Sequence, residues 1–228
     1  MYSTKKNLQV LHEDNHIIVV NKRAGDIVQG DKTGDKPLSD VVKEYIKEKY
    51  NKPGAVYLGT VHRLDRPTSG IVIYARTSKA LERLNKMLRE KTIKKTYWAV
   101  VKNPPKKTSD TLINFLKKNP KNNKSTAYSK EIDGSKKAIL HYQVLKKLDN
   151  YSLLEIDLET GRHHQIRVQL SNIGATIKGD LKYGAKRSNK DGSIHLHARK
   201  IEFTHPVSKE LIKINAPTPQ ESIWDACL

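Results

Sequence analysis

The apolar residues of this chain come in short runs rich in β-branched side chains, and that habit restricts what it can fold into. Ile17-Ile18-Val19-Val20 is closed by a turn at 21–25. It is far too short for a membrane span, which needs about 20 apolar residues, or for a signal peptide, and it reads as a buried strand. The segments 71–75, 96–101 and 153–158 read the same way, and Leu140, Tyr142 and Val144 share one face of a further strand. Two segments change period. Leu38, Val41, Val42, Tyr45 and Ile46 fall at helical spacing, with Ser39 available as a cap and Lys52-Pro53-Gly54 as a stop. Leu81, Leu84, Met87 and Leu88 do so behind Ser78. Strands outnumber helices without regular βαβ alternation. The expected class is therefore α+β, a mainly antiparallel or mixed β-sheet with flanking helices.

A chain of 228 residues with 36% hydrophobic content can enclose a core without disulfides or a structural metal, and a single domain over 1–228 is expected. Its charge is lopsided, with 43 Lys and Arg against 24 Asp and Glu, a net +19. Such a chain repels itself unless a polyanion is the usual partner; nucleic acid leads, and an anionic membrane surface has the same sign. The excess is concentrated. Positions 86–150 hold 17 Lys or Arg and 5 Asp or Glu, much of it in a Lys- and Asn-rich stretch around 102–137 that opens with Pro104-Pro105-Lys106-Lys107. This stretch reads as a basic surface excursion outside the core, either a solvated loop or a contact surface for RNA phosphates. Cys227, beside the C-terminus, is the one cysteine and can form no internal disulfide, which suits a reducing cytosol. With a polar N-terminus, the expectation is a cytoplasmic protein with no membrane association.

Two constellations carry chemistry. The first is Asp65 in His62-Arg63-Leu64-Asp65-Arg66-Pro67-Thr68-Ser69-Gly70, a loop entering a strand. Alone, an acid between arginines reads as a surface ion pair. The second is Thr160-Gly161-Arg162-His163-His164-Gln165-Ile166-Arg167. Ile166, Leu170 and Ile173 keep helical spacing up to Gly174, so these polar residues crown the first turn of a helix. They supply planar donors and stacking side chains, the inventory that holds phosphates and a base edge. Adjacent His163 and His164, and alternating His195 and His197, lack the convergent spacing of a ligand set. CxxC, a phosphate-cradling GxxxxGK[ST] loop and a dinucleotide fingerprint are all missing. Neither a metal nor a cofactor is expected.

Together with Glu13-Asp14, Asn21-Lys22-Arg23-Ala24-Gly25, Lys95-Thr96-Tyr97-Trp98-Ala99-Val100, Gly179-Asp180-Leu181-Lys182-Tyr183-Gly184, Leu196-His197-Ala198-Arg199 and His205-Pro206, these segments form an ordered series. The series resembles the RluA-type pseudouridine synthase family from about position 10 to 215. The resemblance implies the pseudouridine synthase catalytic fold and isomerisation of uridine in structured ribosomal or transfer RNA. The bond from ribose C1′ to uracil N1 breaks, the base turns, and C5 joins C1′. It implies Asp65 as the essential carboxylate, acting by attack on the base, attack on the ribose or abstraction of a sugar proton. Arg167 is implied as the cation that keeps it ionised, and Tyr97 as the ring stacked on the target uracil. Arg63 is implied beside the base turned out of the RNA stack. His62, Arg66, Arg162, His164 and Gln165 complete the expected RNA-binding set, with His62 equally readable as a support for its loop.

Arg23 departs from the pattern, standing where relatives have proline; a looser turn or an added phosphate contact is expected there. The chain starts almost at the first block, which predicts that no small N-terminal RNA-binding domain precedes it. RNA is the expected partner of a monomeric enzyme. The alternatives are an inactive RNA-binding protein of the same fold and, more remotely, a metal-dependent RNA hydrolase.

Overall fold

The computed structural model describes residues 2–31 and 33–228. In chain order its elements are β1 (Val10–Glu13), β2 (Ile17–Lys22), α1 (Leu38–Lys49), β3 (Gly59–Thr60), β4 (Ser69–Ala75), α2 (Ser78–Arg89), β5 (Lys94–Val101), β6 (Ser109–Asn119), β7 (Lys124–Tyr128), β8 (Lys136–Lys147), β9 (Ser152–Leu158), α3 (Gln165–Asn172), β10 (Leu196–Thr204), β11 (Leu211–Asn215) and α4 (Ser222–Cys227). The expected α+β class holds. Two compact units divide the chain, one running to Lys95 and resuming over Ala198–Pro219, the other comprising Thr96–His197 and Gln220–Leu228. Among the described residues no helix is long and apolar enough to cross a membrane.

In the first unit β2 pairs antiparallel with β1 on one side and β4 on the other, in the register Ile18↔Tyr74 and Val20↔Val72. Alternation along each strand sends Ile18, Val20, Val72 and Tyr74 to one face. There they meet Leu38, Val41, Val42 and Ile46 of α1. The other face is also covered, since all six residues of β2 and all seven of β4 are buried. Each fully buried Ile or Val contributes roughly 1.5–3 kcal/mol, which makes this strand pair the rigid base for the loop that enters β4.

The helix caps differ from the sequence expectation. Ser39 lies buried inside α1, whose N-cap is Pro37 with no side-chain cap. Carbonyls of the preceding loop serve the first amides instead, Leu38 N donating to Ile27 O at 2.7 Å and Ser39 N to Val28 O at 3.3 Å. For α2 the cap is Thr77, whose side chain accepts from Ala80 N, one residue ahead of the expected Ser78.

The second unit carries the antiparallel order β5-β9-β8-β6-β7. Here the Lys- and Asn-rich stretch corrects its reading as a surface excursion outside the core. It forms the long strand β6 and its hairpin partner β7, and Leu112 and Leu116 are buried. One face of this sheet holds α3, with Val168 packed among Leu116, Ala138 and Tyr183. At the β5 end α4 buries Trp224 and Cys227 against Val100 and Leu153.

Candidate active site

Asp65 lies half-buried between β3 and β4, and its loop is pinned on both sides. Thr68 N donates to Asp65 O at 3.0 Å, closing a turn over Arg66 and Pro67. Ahead of the acid, Leu64 packs against the α1 core, and His62 Nε2 accepts from Ile73 N at 3.2 Å. Burial, with the Lys95 charge a lesser cause, pushes the His62 pKa down to about 3. That ring is therefore a neutral acceptor at physiological pH, bonded to a strand amide.

Lys22 anchors the far side. It ends β2, is 1% exposed, and its Nζ donates to Thr68 O at 2.6 Å, Arg23 O at 3.0 Å and Arg66 O at 3.1 Å. Gly25 N also donates to Arg66 O, at 2.8 Å. Three carbonyls around one nitrogen match the three N–H bonds of an ammonium. Burial lowers the Lys22 pKa to about 7, while Asp26 and then Asp65 favour its charged form. Lys22 was absent from the expected site. Its signal was a lysine continuing the apolar run of β2, where a solvated cation has no place. Arg63 is exposed. Arg66 reaches outward, with Nη1 2.7 Å from Asp35 Oδ2 in a partly exposed ion pair.

The remaining expected residues belong to the second unit. Tyr97 is buried in β5 opposite Ile156 of β9. Ile156 faces Tyr142 of β8, and alternation from Tyr142 through Leu140 to Ala138 places Tyr97 on the sheet face that carries α3. That helix is buried from Gln165 through Leu170, polar residues included. Its N-cap is His164, held in the left-handed region at φ 54° with Nδ1 2.9 Å from the Tyr183 hydroxyl. Gln165 is structural in geometry: Oε1 accepts from Thr160 Oγ1 and Arg162 N, and Nε2 donates to Ile139 O. Arg162 is exposed, with Nε donating to Lys137 O.

Arg167 is 5% exposed and meets an acid that the sequence reading gave no role. Its Nε and Nη2 donate to the two oxygens of Asp180 at 2.7 and 2.8 Å, a bidentate pair in which both side chains are buried. The Tyr183 ring lies 5.1 Å from the guanidinium carbon. This fork engages one edge of the guanidinium and directs the edge carrying Nη1 away from Asp180. Asp180 and Tyr183 stood in a recognised block; their three-residue spacing across one tight turn was the available clue. In chemical terms the chain offers a carboxylate in a rigid loop, a buried guanidinium of fixed orientation, and an aromatic ring on the face of that guanidinium's helix.

A family model described as RNA pseudouridylate synthase matches residues 16–172, a span that includes Asp65, Tyr97 and Arg167. An uncharacterized RNA pseudouridine synthase of Synechocystis sp. is 34% identical over 216 residues, covering 93% of this chain and 66% of the relative. Ribosomal large subunit pseudouridine synthase C of Buchnera aphidicola is 36% identical, covering 92% and 67%. This chain thus spans about two thirds of the length of these relatives. Among solved structures, human RNA pseudouridylate synthase domain containing 4 superposes with a TM-score of 0.77 at 23% identity, covering 93% of this chain and 89% of that one. At that identity the likeness is one of fold.

Proposed function

The chain belongs to the RNA pseudouridylate synthase family, and from that premise we propose that it isomerises uridine to pseudouridine in RNA, with Asp65 as the essential carboxylate. The observation that carries this reading is the family match over 16–172, which spans every expected catalytic residue. The bond between C1′ and N1 breaks, C1′ joins C5, the C5 proton leaves and N1 gains one, so no electron or group enters from outside. Asp65 works at the glycosidic bond, Tyr97 stacks on the uracil, and Arg167 supplies the cation of the catalytic set. Arg63, exposed beside Asp65, fills the place of the extruded base.

The polar residues around these three divide by geometry. His62, His164 and Gln165 act on the RNA through the loops and the helix end that they hold. Arg66, Arg162 and the lysines of the β6–β7 hairpin meet phosphates. The exposed pair of Arg66 with Asp35 is worth little in water, so a phosphate can displace it. Ribosomal RNA is the first substrate to test, because the Buchnera relative is named for the large ribosomal subunit. A cytoplasmic monomer is part of the same proposal.

Ribosomal RNA transcribed with uridine tritiated at C5 provides the test, with transfer RNA alongside. The protein should release label to water from one of the two. Asp65→Ala should stop release while RNA binding persists. Continued release by that variant would remove Asp65 from the mechanism, and no release by the unaltered protein from either RNA would remove the activity.

A further inference from the structure

We propose that Tyr183 is a positioning residue that links the basic β6–β7 hairpin to Arg167, so that RNA held on the hairpin sets the guanidinium for reaction. The inference rests on the reading of Arg167 and the hairpin given under the proposed function.

Tyr183 is 4% exposed, at the end of a single 3-10 turn, Leu181–Tyr183. Its hydroxyl accepts from Ser125 N of β7 at 2.8 Å and lies 2.9 Å from Nδ1 of His164, the N-cap of α3. One oxygen thus joins the hairpin backbone to the end of the helix that carries Arg167. Its ring is shared by two cations, Arg167 at 5.1 Å and Lys124 of β7 at 5.3 Å from the centroid. A second bridge runs parallel. Ser125 Oγ donates to His163 O at 2.9 Å, which leaves its lone pair for Nδ1–H of His163, also at 2.9 Å. The His163 ring stacks on His164 with centroids 3.7 Å apart.

Packing alone explains a buried tyrosine, but not this set of partners. A ring that needed only burial has no reason to take one cation from an RNA-facing hairpin and another from the candidate active site. Arg167 follows His164 by three residues, within the first turn of α3, so a displacement of the N-cap is passed to it with little loss. A phosphate that engages Lys124 draws one cation off the ring and leaves the ring to Arg167. Ser125 moves with Lys124 as its chain neighbour and carries the hydroxyl link with it.

The test is Tyr183→Phe, which keeps the ring and its cation contacts and removes the hydroxyl link. Polyuridylate is the probe, with amide hydrogen exchange followed by mass spectrometry. In the unaltered protein polyuridylate should slow exchange in both 124–128 and 164–168. In Tyr183→Phe the first segment should still respond in full and the second should respond clearly less, since only the Ser125–His163 bridge remains. Tritium release should fall roughly tenfold in kcat with KM nearly unchanged, as expected for a misplaced group. Equal slowing at 164–168 in both proteins, an unchanged kcat, or no response of 124–128 in the unaltered protein would each overturn the coupling. Should Tyr183→Phe fail to fold, Lys124→Gln tests the cation part of the link: the other hairpin lysines preserve the response at 124–128, and an undiminished response at 164–168 refutes it. An intact exchange response without tritium release would strike the proposed activity and leave the coupling standing.

Discussion

Replacing Lys22 with methionine separates the two things its buried nitrogen does. The ammonium binds three carbonyls, those of Arg23, Arg66 and Thr68, and it is taken almost wholly out of water. Its pKa of about 7 lies below the 10.5 of a solvated lysine. Between those values the unfolded chain binds the extra proton, so the stability owed to this group rises with pH over that window. The full penalty applies below pH 7 and amounts to roughly 5 kcal/mol, at 1.36 kcal/mol per unit. Methionine does not titrate. It removes the penalty but leaves the Arg23 and Thr68 carbonyls without this donor, at about 1–3 kcal/mol each; Arg66 O keeps Gly25 N. The two effects nearly cancel at pH 6. At pH 10 only the second remains, and Lys22→Met should be clearly less stable than the unaltered protein. Urea unfolding followed by circular dichroism at pH 6, 8 and 10 gives the difference between the two proteins, in which independently titrating groups cancel. It should move by roughly 4 kcal/mol in favour of lysine from pH 6 to pH 10. A difference constant to within about 1 kcal/mol would refute the argument that Lys22 is held as a buried, titratable cation.

Further substitutions probe each unit by itself. Gly70 sits at φ 113°, opposite Lys22 in the β2–β4 register, and a Cβ built there overlaps the backbone nitrogen and oxygen of Ala198. Gly70→Ala should therefore cost at least about 3 kcal/mol from backbone strain and overlap together, seen as a lowered thermal midpoint; a midpoint within a degree or two of the unaltered protein would mean that the two backbones are not so close. Arg167→Met should abolish tritium release and also destabilise by roughly 3–5 kcal/mol, because Asp180 is left as a buried uncompensated charge. Adding Asp180→Asn should restore much of the thermal midpoint without restoring release, and recovery of release by the double variant would show that the guanidinium has no part in the reaction.

The parts of the fold legible in the sequence were those whose burial is written in apolar side chains. Ile17-Ile18-Val19-Val20 and the stripe of Leu38, Val41, Val42 and Ile46 declare a strand and a helix because every inward position is aliphatic. β6 gave no such sign. Its inward residues include Asn114, whose Oδ1 accepts from Gln169 of α3, so the alternation between Leu112 and Leu116 was interrupted by a residue that ordinarily marks a turn. The α1 cap failed for a related reason: Ile27 O and Val28 O serve its first amides, and no local side chain announces a backbone partner. Among the candidate residues, Asp65 and Arg167 stood in segments whose residue types suggest chemistry, whereas Lys22, Asp180 and Tyr183 acquire meaning only from partners elsewhere in the chain.

Lys22 and Asp180 also show what each unit uses a buried charge for. A lysine ending a buried strand, and an arginine paired with an aspartate inside a helix packing, are costly ways to stabilise a protein, because taking each charge out of water offsets most of the attraction gained. Well-packed apolar side chains of similar volume would serve stability as well or better. Lys22 nonetheless fixes the turn that carries Asp65, through Thr68 O and Arg66 O. Asp180 likewise fixes the plane of Arg167 through two parallel bonds. In both cases a buried charge holds a second group in one orientation, and the group so held is one that the proposed reaction needs. Orientation, not stability, is therefore the property that explains why each unit of this chain keeps a charge in its interior.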